Sequence, residues 1–318
     1  MYSYSVMRRA LLIGFIAAAV CLITRIHISP GAWDLTWALR GTTLLAAGQN
    51  PYTAGGYPFD LPLYYPLPAL FALLPLAWLD PSLASIIFSG ISAAMLAWAV
   101  LREREQAWPV FVSAPFFIAV IWSQWAPLLT AAALVPSLLP LAMAKPNLGL
   151  PILLLRRPSW RSILICAALT VISFILVPSW PLDWLHNTKA HDSAMPLVSL
   201  PGALLLCALL VWRDARARLL LGLALMPQRF YDPLLLWTIP ETVRSGLVLS
   251  ALSWVVCGPW LLFERNIPLS HPPHWSVVGL LYLPALIMVL WRMRGVAWLG
   301  TRIATPQVTL NQQQSASE

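Results

Sequence analysis

Charge is scarce in this chain. Lys, Arg, Asp and Glu together make up 10% of its 318 residues, against about 25% in an ordinary soluble domain. Lysine is nearly absent, with only Lys145 and Lys189. Cysteine is sparse too. Cys21, Cys166, Cys207 and Cys257 lie inside or at the ends of apolar stretches and form no close pair, which argues against a disulfide or metal framework. They read as small buried hydrophobes. No alternating pattern of strand length recurs, which argues against a barrel. With 59% hydrophobic residues, a soluble fold is excluded, because so much apolar surface has nowhere to go but lipid. The net charge of +8 does not point to nucleic acid, since no basic run is interleaved with exposed aromatics. Cationic loops on a membrane protein set its topology instead.

What is present is apolar and punctuated, with 17 Trp and 29 Pro. Apolar stretches at about 10–28, 82–101, 108–122, 126–155, 162–178, 197–212, 219–240, 245–263 and 275–291 predict helices, several short or broken by Pro. The expectation is an all-α polytopic membrane protein with about eight to ten membrane helices, joined by interfacial and re-entrant short helices. A single transmembrane domain is expected over 1–304, followed by a polar, disordered cytoplasmic tail over 305–318. Arg8 and Arg9 precede the first apolar run, and no small-residue cleavage site comes before Arg25. That helix therefore reads as a retained signal-anchor.

Arginine sets the orientation. Arg8, Arg9, Arg102, Arg104, Arg156, Arg157, Arg161, Arg213, Arg216, Arg218, Arg244, Arg292, Arg294 and Arg302 fall in segments that can share one face, 14 of the 20 basic residues. The positive-inside rule makes that face cytoplasmic, with the N-terminus on it, in the plasma membrane. The scheme needs 65–79 to dip into the outer interface and 219–240 to enter from the cytoplasm and return. Arg25, Arg40, Lys145, Lys189, Arg229 and Arg265 remain at depth or outside, with Asp34, Asp60, Asp183, Asp192 and all five His. Chemistry is expected on that outer side, where the loop 29–66 lies.

Two broken elements carry charge. "LLTAAALVPSLLPLAMAKPNLGLPILLLRR" (128–157) contains Pro136, Pro140, Pro146 and Pro151, so it is not one straight helix. Lys145 stands at a break, where an ionisable residue is a functional candidate unless it snorkels to an interface. "LLLGLALMPQRFYDPLLLWTIP" (219–240) has two apolar arms too short to cross, with Gln228, Arg229, Tyr231 and Asp232 between them. A re-entrant hairpin would carry that tip inward. Arg229 either pairs with Asp232 or holds a phosphate, which suits guanidinium geometry. His186 and His191 in "SWPLDWLHNTKAHD" (179–192), with His271 and His274 in "LSHPPHW" (269–275), lack the fixed ligand frame zinc needs. They read as solvated His among interfacial Trp. No metal and no cofactor is expected.

The stretch "WDLTWALRGTTLLAAGQNPY" (33–52) places Asp34 just after the first helix and ends in Gly48-Gln49-Asn50-Pro51-Tyr52. "YYPLPALFALLPLAWL" (64–79), Ser123-Gln124 and Ala144-Lys145-Pro146 follow. In this order the residues resemble glycosyltransferase family 87, polyprenol-phosphate-sugar-dependent mannosyl- and arabinosyltransferase-like enzymes with the C-type glycosyltransferase fold. The resemblance covers roughly residues 8–240. It implies a bundle of that fold and a sugar transfer from a polyprenyl-phosphate donor to a hydroxyl of a glycan, glycolipid or lipid acceptor at the outer face.

The resemblance also implies site roles. Asp34 would be the general base on the acceptor hydroxyl, with Asp60 as the alternative base. Lys145 and Arg229 would balance the charge of the donor phosphate. Asn50, Tyr52, Tyr64, Tyr65, Gln124 and Tyr231 are the substrate-binding candidates. In helical register Asp34, Ala38 and Gly41 form a small face with room for a sugar, opposite Trp33, Trp37, Arg40 and Leu44. Asp34 also suits a helix N-cap. Broken helices with charges at depth fit a transporter or lipid flippase as well. However, "MAKPNLG" and "MPQRFYD" share little, so no duplicated half is evident.

Overall fold

The computed structural model describes residues 2–28, 30–189, 194–263 and 272–292. His191, Asp192, Arg265, His271, Arg294, Arg302 and the tail 305–318 lie outside the described residues. In chain order the described residues form α1 (Tyr2–His27), α2 (Leu35–Ala46), α3 (Leu67–Phe71), α4 (Pro81–Glu103), α5 (Ala114–Ile121) and α6 (Ala126–Leu134). They continue as α7 (Pro146–Leu155), α8 (Trp160–Leu176), α9 (Trp180–Thr188), α10 (Ala215–Leu225), α11 (Val243–Phe263) and α12 (His274–Arg292). An isolated antiparallel bridge joins Ala194 to Gln228.

The chain is an all-α membrane protein. Among the described residues four helices, α1, α4, α11 and α12, are long and apolar enough to cross a bilayer, and α8 with α9 makes a fifth if that pair, bent by 94°, is one span. This is fewer continuous spans than the eight to ten expected. Proline is the main reason. The apolar stretches at 108–122, 126–155, 197–212 and 219–240 become short helices and 3-10 segments: Glu105–Val112, Pro136–Ala144, Gly202–Val211 and Asp232–Thr238. Pro109, Pro140 and Pro151 stand inside such elements, and Pro136, Pro146 and Pro233 at their starts. Each withholds an amide donor and clashes with the turn before it.

The frame is the antiparallel pair α1 and α4. Asp80 starts α4, its Oδ1 accepting from the amides of Ser82 (2.9 Å) and Leu83 (3.2 Å), with Pro81 in the first turn. Small residues let the two backbones meet. A Cβ on Gly14 would lie 2.7 Å from both the Ala94 Cβ and the Gly90 carbonyl, and one on Gly90 3.1 Å from the Ala18 Cβ. Gly14 with Ala18, and Gly90 with Ala94, form the small-xxx-small pattern by which helices approach closely in lipid.

The Arg-rich segments meet at one end of the bundle. Arg9 lies 3.8 Å from Glu105, joining the start of α1 to the end of α4. The Arg104 guanidinium donates to the carbonyls of Thr238 and Pro240, the latter at 2.7 Å. Arg216 pairs with Glu241 at 2.6 Å, and Arg292 with Asp214 and Glu241 at 3.2 and 3.0 Å. Arg218 donates to the Leu154 carbonyl at 3.0 Å, bringing in the last turn of α7.

These contacts define a hairpin. α10 leaves the basic end, turns at Met226–Tyr231, and the 3-10 segment Asp232–Thr238 returns to Arg104. At about 1.5 Å per residue in α10 and about 2.0 Å in the 3-10 arm, each arm rises roughly 15 Å, half of a bilayer's hydrocarbon core. α7 runs beside α10, where a Cβ on Gly222 would lie 3.1 Å from the Pro151 Cα. Lys145, at the N-terminal end of α7, therefore comes level with the hairpin tip.

Candidate functional site

Asp34 occupies the N-cap position of α2, yet its side chain makes no capping bond. Its Oδ2 instead accepts from Gln124 Nε2 and from the Tyr231 hydroxyl, the latter at 2.9 Å. Oδ1 takes neither bond. The Asp34 carboxylate thus ties three distant segments together at the end of the bundle opposite the arginines.

Gln124 is 1% exposed and sits in the break between α5 and α6. A clamp from α1 shapes that break. Arg25, 5% exposed, donates from Nε to Ser85 Oγ (2.9 Å) and from Nη2 to the Ile121 carbonyl (2.8 Å) and Ser123 Oγ (3.1 Å). Ser89 Oγ adds a bond of 3.1 Å to Ser123 Oγ. Ser123 is held at φ 54°, and the Gln124 amide then reaches the Ala119 carbonyl at 2.8 Å. Across the contact, Trp33 sits at φ 47° immediately before Asp34, its ring stacked on Trp122 at 5.6 Å. Two residues in the left-handed region therefore flank the Asp34–Gln124 bond from both sides.

Tyr231 carries the network to the charges. Lys145 Nζ lies 5.3 Å from the centre of its ring and 2.5 Å from Asp232 Oδ1. Asp232 is wholly buried, and its Oδ2 also accepts from Asn147 Nδ2 (3.3 Å) and the Arg229 amide (2.9 Å). Asn147 Nδ2 holds the hairpin turn through the Pro227 carbonyl at 2.9 Å, and Gln228 Nε2 returns to the Asn147 carbonyl at 3.1 Å. Lys145 is no isolated ammonium, because Asp232 matches its charge. Asp232 takes its ion pair from Lys145, 87 positions away, and only an amide bond from Arg229. Burial raises the Tyr64 pKa, and the Arg229 charge offsets part of that rise. Burial likewise raises Tyr65, and Asp34 and Asp232 push it further the same way. The Tyr65 ring rests on Trp125 at 6.2 Å.

Other sequence candidates lie elsewhere. Asp60 is exposed at φ 56° in the turn Pro58–Asp60. Asn50 Oδ1 accepts from the Tyr52 amide (2.9 Å) and its Nδ2 reaches Asp183 (3.4 Å). The Tyr52 hydroxyl donates to the Tyr65 carbonyl at 2.9 Å. Asn50 and Tyr52 thus hold the outer loop and steady Tyr65, while α9 clips the same loop through Trp184 Nε1 on the Tyr64 carbonyl at 2.9 Å. The small face of α2 has no room for a sugar. Ala38 is wholly buried, and a Cβ on Gly41 would meet Leu63 and Leu70 at 3.1 and 3.3 Å. Sequence reasoning missed Arg25, Asn147 and the part played by Asp232, although all three are polar residues in apolar surroundings. Among the described residues no group of three His, Cys, Asp or Glu is placed to hold a metal.

Comparisons with family models, with curated proteins and with solved structures find no match to this chain.

Proposed function

We propose that this protein is a membrane glycosyltransferase. It moves a sugar, mannose-like or a pentose, from a polyprenyl-phosphate donor to a hydroxyl of a glycan, glycolipid or lipid acceptor at the outer face of the plasma membrane. The observation that carries the reading is the setting of Asp34. Gln124 and Tyr231 saturate one carboxylate oxygen and orient the group, and the other oxygen is left for a proton. The resemblance to glycosyltransferase family 87 supports the same assignment.

In this reading the acceptor O–H gives its proton to Asp34 Oδ1 as its oxygen attacks the sugar's anomeric carbon. The bond from that carbon to the phosphate oxygen breaks, and the electron pair leaves with the phosphate. The polyprenyl phosphate changes from a singly charged diester to a monoester with up to two charges. Arg229 and Lys145 meet that growing charge. Asp232 holds the Lys145 side chain in place at 2.5 Å.

The test is incubation of membranes holding the protein with radiolabelled polyprenyl-phosphate mannose and, separately, arabinose. Wild type should transfer label to an acceptor. Asp34→Asn should cut the rate by about 10²–10⁴-fold, the usual worth of a general base, at unchanged expression. No transfer from either donor, or full activity in the variant, overturns the reading. One observation favours a transporter or lipid flippase instead: a buried ion pair at the tip of a half-length hairpin. Reconstituted vesicles that move a labelled prenyl-phosphate sugar across the bilayer without transferring it would establish that second reading.

A further inference from the structure

Between the hairpin tip and α12 lies a small cavity lined by Ser199, Gln228, Arg229, His274 and Tyr282 among others, with room for about one water-sized group (about 10 Å³). Two of its walls are polar, buried and unsatisfied. Gln228 is 4% exposed; its Nε2 is fixed on the Asn147 carbonyl, and its Oε1 has no partner. Tyr282 is wholly buried, and its hydroxyl has no partner. Unpaired buried polar groups are rare and costly in folded proteins, and two on residues that line one cavity point to a guest. Tyr282 also closes a π-helical turn, Val278–Tyr282, in an otherwise α-helical segment. Such turns recur at functional sites because they re-aim a side chain. Gln228, Arg229 and Phe230 line the cavity from the same hairpin tip that carries Tyr231 and Asp232, so the cavity adjoins the cluster around Asp34.

The chemistry of the walls selects the guest. Gln228 Oε1 only accepts, and its orientation is set by the bond its own amide nitrogen makes. An anionic oxygen gives it nothing. A cation would face Arg229 on the same wall. A neutral hydroxyl fits both groups, donating to Gln228 Oε1 and accepting from the Tyr282 phenol.

We propose that Gln228 and Tyr282 form a hydroxyl-recognition subsite that takes one sugar hydroxyl of the substrate handled beside Asp34. The sugar is identified by the glycosyltransferase reading; the hydroxyl chemistry stands without it. The hydroxyl belongs either to the donor sugar or to the acceptor, and the test separates the two.

The variant is Tyr282→Phe in the purified full chain. It deletes only an unpaired hydroxyl, so the ligand-free protein should unfold at the same temperature as wild type or higher. With decaprenyl-phosphate mannose as donor and octyl mannoside as acceptor, one KM should rise about fivefold to tenfold, with kcat nearly kept. A rise in the donor KM assigns the hydroxyl to the donor sugar, and a rise in the acceptor KM to the acceptor. In parallel, thermal stabilisation by each probe is measured on an Asp34→Asn background, where turnover is blocked. Tyr282→Phe should abolish stabilisation by the probe whose hydroxyl it holds. Where wild type transfers no sugar yet that stabilisation still depends on Tyr282, the transferase reading falls and the subsite stands. Unchanged KM values and unchanged stabilisation in Tyr282→Phe, or a protein stabilised by neither probe, overturn the subsite and leave the cavity to a buried water.

Discussion

Replacing Asp232 with Asn removes the carboxylate that touches the Lys145 ammonium. The two groups are 2.5 Å apart, with side chains 16% and 0% exposed for Lys145 and Asp232. Removing one partner of a buried pair leaves an uncompensated charge and costs about 3–5 kcal/mol. Asp232→Asn should fall toward the lower figure, because Lys145 keeps some contact with solvent and the face of the Tyr231 ring. Lys145→Met should sit in the same range, since the stranded carboxylate keeps the amide of Arg229 and the Asn147 side chain as donors. The double variant removes both charges, and its new amide still accepts from the Arg229 N–H. It should be less damaged than either single variant, by about 2 kcal/mol or more, because replacing a whole buried pair is often nearly neutral. The assay is denaturant unfolding in detergent, followed by tryptophan fluorescence on the four proteins of the cycle. Costs that simply add would refute a coupled pair and with it the account of why Lys145 is tolerated at this depth. Donor use should be lost in all three variants, including the stable double one.

Gly14→Leu drives a side chain into the Gly90 carbonyl and Ala94; it should prevent α1 and α4 from closing, read as loss of folded protein on size-exclusion chromatography, whereas Leu12→Ala on the exposed face of α1 should not. Single cysteines at positions 103, 157 and 213, in a background without the native four, should resist impermeant maleimide applied to intact cells; labelling at any of them reverses the orientation proposed from the arginines. Arg25→Gln should lower kcat about tenfold or more and leave both KM values within about threefold, because it loosens the Ser123 turn that aims Gln124 at Asp34 without touching substrate; an Arg25→Gln protein that is fully active and as stable as wild type would show that the clamp positions nothing.

The long spans were legible in the sequence. α1, α4, α11 and α12 are long apolar runs, and length and composition identify them. The prolines also mark 128–157 as broken and 219–240 as a hairpin, and the structure divides both, whereas 197–212 reads as a helix like the long ones. Hydropathy registers that 197–212 is apolar but does not register that the chain from Gly202 to Val211 winds as a 3-10 segment. The site was legible residue by residue and not as a network. Lys145 and Tyr231 stood out at breaks in apolar runs, and Asp34 and Gln124 through the family resemblance, and the four meet in one cluster. Asp60, Asn50 and Tyr52 came from the same resemblance and remain in the loop. Nothing local separates the two groups. Pairings such as Lys145 with Asp232 or Arg25 with Ser123 span 87 and 98 positions, and only the packed bundle decides them. The small face of α2 misled for a related reason: small residues make space, and Leu63 and Leu70 fill it.

The cost of aiming Asp34 argues that the aim matters. An aspartate at a helix N-cap ordinarily bonds the first free amides, worth about 0.5–2 kcal/mol. Asp80 does so at the start of α4, and Asp214 at the start of α10. Asp34 stands at the same position on α2 and forgoes the bond. On each side of its contact with Gln124 a residue that is not glycine is held in the left-handed region, Trp33 at φ 47° and Ser123 at φ 54°. Each costs on the order of 1–3 kcal/mol. The offsetting contacts are specific to these two turns. The Trp33 ring stacks on Trp122, next to Ser123, so the first turn is braced against the second. Arg25 commits a buried guanidinium to the Ile121 carbonyl and the Ser123 hydroxyl. A carboxylate needed only to start α2 would require none of this. A forgone cap, two strained turns and a buried arginine, all converging on one carboxylate, are what a group needs if it must meet a reacting atom within hydrogen-bond distance.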